Sequence, residues 1–169
     1  INNNIPYKIV NHGIDTDYYS PGLEPQTEGT FNILFPHRCI DFKKPDLAIK
    51  IFDHFISNFN CPKARLIVLE NQKRCEPYIK KANKNLYKYI DFIGQQDKSI
   101  ILKYYRNSHV TIATSMISNL NRAVQESMSC AVPVITFDNG NVSTLITDDV
   151  SGYLIEPGDI EEFTEKLFL

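Results

Sequence analysis

The chain has 169 residues, 43% of them hydrophobic, which suits one compact domain with one core. Its 18 basic and 20 acidic residues leave a net charge of −2, so no global field is present to hold nucleic acid or an anionic membrane, and any anion site has to be local. Apolar runs such as Leu66 to Leu69 and Val132 to Ile135 are too short to cross a bilayer, and no charged-then-apolar leader opens the chain, so a soluble, cytoplasmic protein is expected.

The stretch before Phe31 is rich in Asn, Pro and Gly and reads as a linker or a crossing loop, giving an opening segment over 1–30 and a domain over 31–169. The first residue is Ile1 and not methionine, so a piece of a larger protein is expected. Phe31 to Phe35 is the first strand. From Pro45 to Phe59 the apolar residues Leu47, Ala48, Ile51, Phe52, Phe55 and Ile56 fall three and four apart, the spacing of a helix with one buried face. A strand follows at Arg65 to Leu69, a weaker helix at Arg74 to Asn83, and a strand at Tyr89 to Ile93 that ends in Gly94. Asp97 or Ser99 can cap the next helix, in which Ile100, Ile101, Tyr104 and Tyr105 keep helical spacing to about Asn107.

Val110 to Ala113 is a strand, Asn119 to Cys130 a helix, Pro133 to Phe137 a strand and Val142 to Thr147 a short helix. A last strand at Tyr153 to Ile155 precedes a closing helix capped by Asp159. Regular alternation of strand and helix, with no internal repeat, predicts a Rossmann-like, doubly wound α/β domain: a parallel sheet between two helical layers, with ligands beyond the carboxyl ends of its strands.

Cys39, Cys61, Cys75 and Cys130 are scattered and read as reduced thiols, and His12, His37, His54 and His109 are equally dispersed. Neither set has the close paired spacing of a metal site, so no metal and no cofactor is expected.

Three segments carry candidate chemistry. Arg38 and Lys43 lie between the first strand and the first helix, at a strand's carboxyl end and beside a helix amino terminus, where a planar fork and a point charge suit two phosphates. The same pattern fits a solvated basic turn, as Lys44 beside them illustrates. The polar run from Thr114 leads into a helix that Ser118 or Asn119 can cap, leaving the amides of Leu120, Asn121 and Arg122 for an anion or a hydroxyl. About two turns into that helix, Glu126 sits among Ala123, Val124, Met128 and Cys130. A ribose diol would satisfy such a carboxylate, although an ion pair with Arg122 four residues earlier is the commoner arrangement at this spacing. Gly94, opening Gly94-Gln-Gln-Asp, turns the chain on the same edge, where a flat base could lie; ordinary turn chemistry explains it equally well.

Taken together, these segments resemble almost end to end the C-terminal, donor-binding domain of family-four (group 1) retaining glycosyltransferases with the GT-B fold. His12-Gly-Ile-Asp15 with Tyr19-Ser-Pro21 looks like the family's opening motif, and Arg38 five residues before Lys43 matches its diphosphate pair. Glu126-Ser-Met-Ser-Cys-Ala-Val-Pro-Val-Ile135 resembles the family's Glu-Ala-Met-Ala-Cys-Gly-x-Pro-Val-Ile, and Ser151-Gly-Tyr-Leu-Ile-Glu-Pro-Gly-Asp159 its closing motif. The resemblance implies that Glu126 binds the ribose and that Arg38 and Lys43 hold the diphosphate and stabilise charge on it as it departs. It also implies that the segment Ser118, Asn119, Leu120 and Asn121 meets sugar or phosphate. The donor would be a nucleoside-diphosphate sugar, and the acceptor, a glycan, lipid or protein, would bind through an N-terminal domain that could also associate with a membrane.

The departures are specific. Ser118 stands where the family has the first of two glutamates eight positions apart, His37 where a glycine precedes the Arg, Ala131 where a glycine follows the Cys, and Thr144 at a frequent Glu. Besides the transferase, the sequence therefore admits a degenerate sugar-nucleotide-binding or scaffolding domain without turnover. A GT-B sugar-nucleotide epimerase shares the fold, but the motif ending in Glu126 favours a transferase. A signalling receiver lacks support, because Asp91, Asp138 and Asp148 are not clustered for a metal.

Overall fold

Six parallel strands form one sheet in the order β3-β2-β1-β4-β5-β6, as expected of a doubly wound domain. The computed structural model describes residues 8, 12–22, 29–80, 82, 84–117 and 121–168. The strands are β1 (Phe31–Phe35), β2 (Ala64–Val68), β3 (Ile90–Phe92), β4 (Val110–Ala113), β5 (Val134–Phe137) and β6 (Gly152–Ile155). The helices are α1 (Pro45–Phe59), α2 (Gln72–Ile79), α3 (Lys98–Arg106), α4 (Arg122–Ser129) and α5 (Ile160–Lys166).

Both faces of the central strands are covered, which is why they read as continuous apolar runs. In β1 the alternation sends Ile33 and Phe35 to a core shared with Ala48, Phe52 and Phe55 of α1 and with Phe163 of α5. Leu34 goes to the opposite core, with Ile67 of β2 and with Leu102 and Tyr105 of α3. The order of strands reverses between β1 and β4, which are paired at Ile33↔Val110 and Leu34↔Thr111. The segments leaving their carboxyl ends, 36–44 after β1 and 114–117 after β4, therefore flank the crevice where such sheets take ligands.

Several boundaries differ from the sequence reading for local reasons. The Asn71 side chain accepts a hydrogen bond from the Arg74 amide, so α2 starts at Gln72 and ends at Ile79, short of the expected Asn83. Asn121, not Ser118 or Asn119, is the N-cap of α4: its side chain accepts from the Ala123 amide, and Glu126 lies about one turn inside the helix. Asp97 caps α3 by position without a side-chain hydrogen bond. The expected helix at Val142 to Thr147 is a single 3-10 turn, Val142–Thr144. Asp159 caps α5 as expected, accepting from the Glu162 amide.

One expectation is overturned. Cys39 and Cys75 form a disulfide across 36 residues of sequence; only Cys61 and Cys130 are free thiols. Spacing hid the pair because their neighbourhood is made by the fold. The loop after β1 lies against α2, where Tyr78 Oη also donates to Asp41 Oδ1 at 2.7 Å.

Candidate functional site

The loop after β1 is shaped before any ligand arrives. A 3-10 turn over Asp41–Lys43 leads to Lys44, whose φ of 49° lies in the left-handed region. That conformation costs a non-glycine residue about 1–2 kcal/mol, and α1 then opens on Pro45 at its first position. The fully buried Thr114 at the end of β4 compensates: its hydroxyl lies 2.9 and 2.8 Å from the carbonyl oxygens of Lys43 and Lys44 and donates to that pair. Disulfide, tyrosine and threonine thus fix the loop that carries Arg38 and Lys43.

Arg38 is exposed and Lys43 half-buried, and among the described residues neither is ion-paired with a carboxylate. Burial, followed by the charge of Arg38, pushes the Lys43 ammonium below its ordinary value. Two neighbouring cations with no ion-paired carboxylate among the described residues form a site that an anion relieves.

Both line a cavity of about 650 Å³ together with His37, Phe42, Asn121, Arg122 and Glu126. A neighbouring cavity of about 470 Å³ shares Arg38 and Glu126 and extends to Glu70, Arg74, Gln95 and Gln96. A third, of about 370 Å³, lies on the other side of Glu126 against His12, Tyr19 and Lys98. Glu126 lines all three. Another cavity of about 370 Å³, against Ala131, Pro133 and Gly152, lies at the amino ends of β5 and β6, away from these groups.

Glu126 does not pair with Arg122. Its Oε2 accepts from the buried Tyr105 hydroxyl at 2.9 Å, while Arg122 Nη2 donates to His12 Nε2 at 2.7 Å. Burial and then the Glu126 carboxylate push both the Tyr105 and Tyr19 phenols well above the ordinary tyrosine value, so both stay protonated. The segment 12–22 closes over this side. Asp15 accepts from the Tyr18 amide through Oδ1 and from the Tyr19 amide through its carbonyl, Arg106 donates to the Ser20 carbonyl at 2.8 Å, Ser129 donates to the Tyr19 carbonyl, and Lys98 lies 4.0 Å over the Tyr18 ring.

The structure brings Arg38, Lys43, Asn121 and Glu126, four of the residues singled out in the sequence, to one cavity. Gly94 has φ 78°, the left-handed value that favours glycine, and its amide donates to the Glu70 carbonyl, but Gln95 and Gln96 after it line the cavity. Ser118, Asn119 and Leu120 lie outside the described residues. Sequence reasoning missed Tyr105, Glu70 and Arg74. Tyr105 looked like any apolar position of an amphipathic helix, and Glu70 like the first residue of a loop. His37 stood out only as a departure.

Four buried side-chain atoms have no hydrogen-bond partner among the described residues: His37 Nε2, Ser115 Oγ, Asn121 Nδ2 and Asn139 Oδ1. Each such group costs about 1–3 kcal/mol in a folded protein. Burial, with Lys43 beside it, pushes the His37 imidazole down to about 3, so it is neutral at ordinary pH.

Strand order, crossing point and cleft define a Rossmann-like α/β domain with an open, cation-bearing carboxyl edge. The chain belongs to the group 1 glycosyl transferases, whose family model matches residues 24–168. Its fold is that of the C-terminal half of the GT-B glycosyltransferases. The C-terminal domain of a glycosyl transferase group 1 family protein (LpcC) from Francisella tularensis superposes with a TM-score of 0.78 at 23% identity, covering 92% of this chain and 86% of that one. Anabaena Alr3699/HepE, solved in complex with UDP-glucose, superposes with a TM-score of 0.79 at 18% identity, over 95% of this chain and 46% of that one. A D-inositol 3-phosphate glycosyltransferase from Nocardiopsis dassonvillei is 24% identical over 174 residues, 94% of this chain and 41% of its own length. The chain thus spans about two-fifths of the curated relatives it matches. Among the described residues no helix is long and apolar enough to cross a membrane.

Proposed function

We propose that this chain binds a nucleoside-diphosphate sugar and forms the donor half of a glycosyltransferase acting with retention. The observation that carries this is the placement of two cations without an ion-paired carboxylate among the described residues, Arg38 and Lys43, in one cavity with the phenol-held carboxylate of Glu126. A ribose diol offers hydroxyl donors to that carboxylate, and the diphosphate offers charge to the cations. In the transfer, the bond from the anomeric carbon to the phosphate oxygen breaks, the acceptor hydroxyl oxygen takes its place on the same face as its proton passes to the departing phosphate, and the nucleoside diphosphate leaves with the electron pair. Arg38 and Lys43 stabilise that growing charge, so transfer is expected to persist in the presence of a chelator.

The UDP-glucose complex of Alr3699/HepE, on the same fold, supports a nucleotide sugar as donor. The acceptor, a glycan, lipid or protein, would bind to an N-terminal domain forming the other wall of the cleft, and this chain alone would not turn over. A cytoplasmic location belongs to the same proposal, with Cys39–Cys75 then a bond that a reducing compartment can open. One sequence observation favours a second reading, a donor-binding domain without turnover: Ser118 cannot supply the negative charge of the family's first glutamate.

Titration with UDP, GDP and ADP tests the donor site. One nucleotide is expected to saturate, with Arg38→Ala and Glu126→Ala each weakening it at least tenfold. No binding of any of them at millimolar concentration would remove the proposal, and sugar transfer by the full-length protein separates its two forms.

A further inference from the structure

His37 and Asn121 come from different loops, one after β1 and one at the start of α4, and both line the cavity that holds Lys43. They are 5% and 7% exposed, yet His37 Nε2 and Asn121 Nδ2 have no partner among the described residues. The orientation of Asn121 is fixed, because its Oδ1 accepts from the Ala123 amide at 3.2 Å, which leaves the amide NH2 as the end without a partner. His37 is held edge-on against Phe35, with ring centroids 5.2 Å apart. Two buried polar ends from separate elements, on residues that line one cavity and without a partner among the described residues, point to a ligand that supplies the missing acceptors there.

Their place along the cleft says which atoms. Arg38 and Glu126 line both the cavity toward Gln95 and Gln96 and the cavity toward Lys43, whereas His37, Asn121 and Lys43 line only the latter. With the ribose at Glu126, the chain of ligand atoms passes Arg38 first and reaches Lys43, His37 and Asn121 at the terminal phosphate. We infer that His37 Nε2–H and Asn121 Nδ2–H donate hydrogen bonds to oxygens of the terminal phosphate of the donor's diphosphate, beside Lys43. The inference rests on the donor-site reading above. A deprotonated phosphate only accepts, so it meets the amide NH2 and selects the Nε2–H form of a neutral imidazole. The other charged groups lining this cavity are Arg38 and Arg122, which reinforce an anion, and Glu126, which the ribose occupies.

The test uses whichever of UDP, GDP and ADP saturates the wild type, with its matching monophosphate, against His37→Phe and Asn121→Asp. Phe keeps the ring packing on Phe35 without a donor, and Asp keeps the oxygen that caps α4 but turns the NH2 into a charged oxygen. The expected result is a diphosphate weakened about tenfold by His37→Phe and further by Asn121→Asp, with monophosphate affinity unchanged in both. Thermal melts identify a variant that fails to fold; Asn121→Ser, which keeps a capping hydroxyl, and His37→Leu then replace it. Equal weakening of both nucleotides, or of neither, overturns the inference. So does an unchanged diphosphate with weaker binding of the nucleotide sugar, which would assign the two ends to the sugar. Failure of the wild type to bind any diphosphate removes the donor-site reading itself, a different outcome from a wild type that binds and variants that match it.

Discussion

The loop after β1 and the helix after β4 meet at the same cleft but hold their charges in different ways. In the loop, Cys39–Cys75, Tyr78 and Thr114 fix the backbone around Arg38 and Lys43, and no described carboxylate neutralises either cation. On α4, Glu126 is held directly, by the Tyr105 hydroxyl, and Arg122 by His12. An exposed or half-buried cation keeps part of its water and can stay unpaired on a rigid loop until an anion arrives. Glu126, half-buried as Lys43 is, instead has a neutral phenol as its donor, which satisfies the carboxylate without cancelling its charge.

Severing the covalent anchor should break this contrast most strongly. In the chain-entropy picture, closing a loop of this length stabilises the fold by about 4 kcal/mol. Cys39→Ala with Cys75→Ala is therefore expected to lower the melting midpoint by roughly 10 °C and to weaken diphosphate binding, since Cys39 adjoins Arg38. A midpoint unchanged by this double substitution would show that Tyr78 and Thr114 suffice to hold the loop.

On the α4 side, Tyr105→Phe removes one hydroxyl and leaves the ring in the core. A hydrogen bond to a charged group contributes about 1.5–3 kcal/mol, so a loss of stability near the lower end of that range is expected from a melt. Nucleotide affinity should fall several-fold, and the preference for a ribose over a 2′-deoxyribose nucleotide should shrink, because Glu126 then moves between positions. If affinity falls equally for both nucleotides, Glu126 is not at the ribose.

The sheet was legible because both-face burial and helical spacing are written in local sequence: β1, α1 and β4 have the expected bounds, and β2, β3, β5 and β6 shift by no more than two residues. Arg38 and Lys43 stood out as candidates because loops at the carboxyl ends of such a sheet are where chemistry accumulates, and Glu126, on a helix, stood out chiefly through the family resemblance; the structure places all three on one cavity. What stayed hidden depends on pairs that only the fold creates. Cys39 and Cys75 look like scattered thiols until α2 packs on the loop, and Tyr105 looks like core until its hydroxyl meets Glu126 across 21 residues. The helix start at Asn121 was missed because Ser118, Asn119 and Asn121 are all good caps by type, and their order alone does not choose among them.

The smallest expected effect lies at the other end of α4 and serves as a control on everything above. Ala131 has φ 59°, in the left-handed region, where its amide donates to the Met128 carbonyl at 3.0 Å and the Val132 amide to the Ser127 carbonyl at 3.1 Å. This is a helix ending that glycine adopts without a Cβ penalty. Ala131→Gly should therefore relieve strain and raise stability, by about 0.5–1 kcal/mol once the greater freedom of glycine in the unfolded chain is set against it. The melting midpoint should rise by about 1–4 °C. Nucleotide affinity should not change, because the substitution touches neither Asn121 nor Glu126. A change in affinity along with the rise would mean that the cap at Ala131 sets the position of the whole helix, and the loop after β1 would then be the only independently anchored side of the cleft.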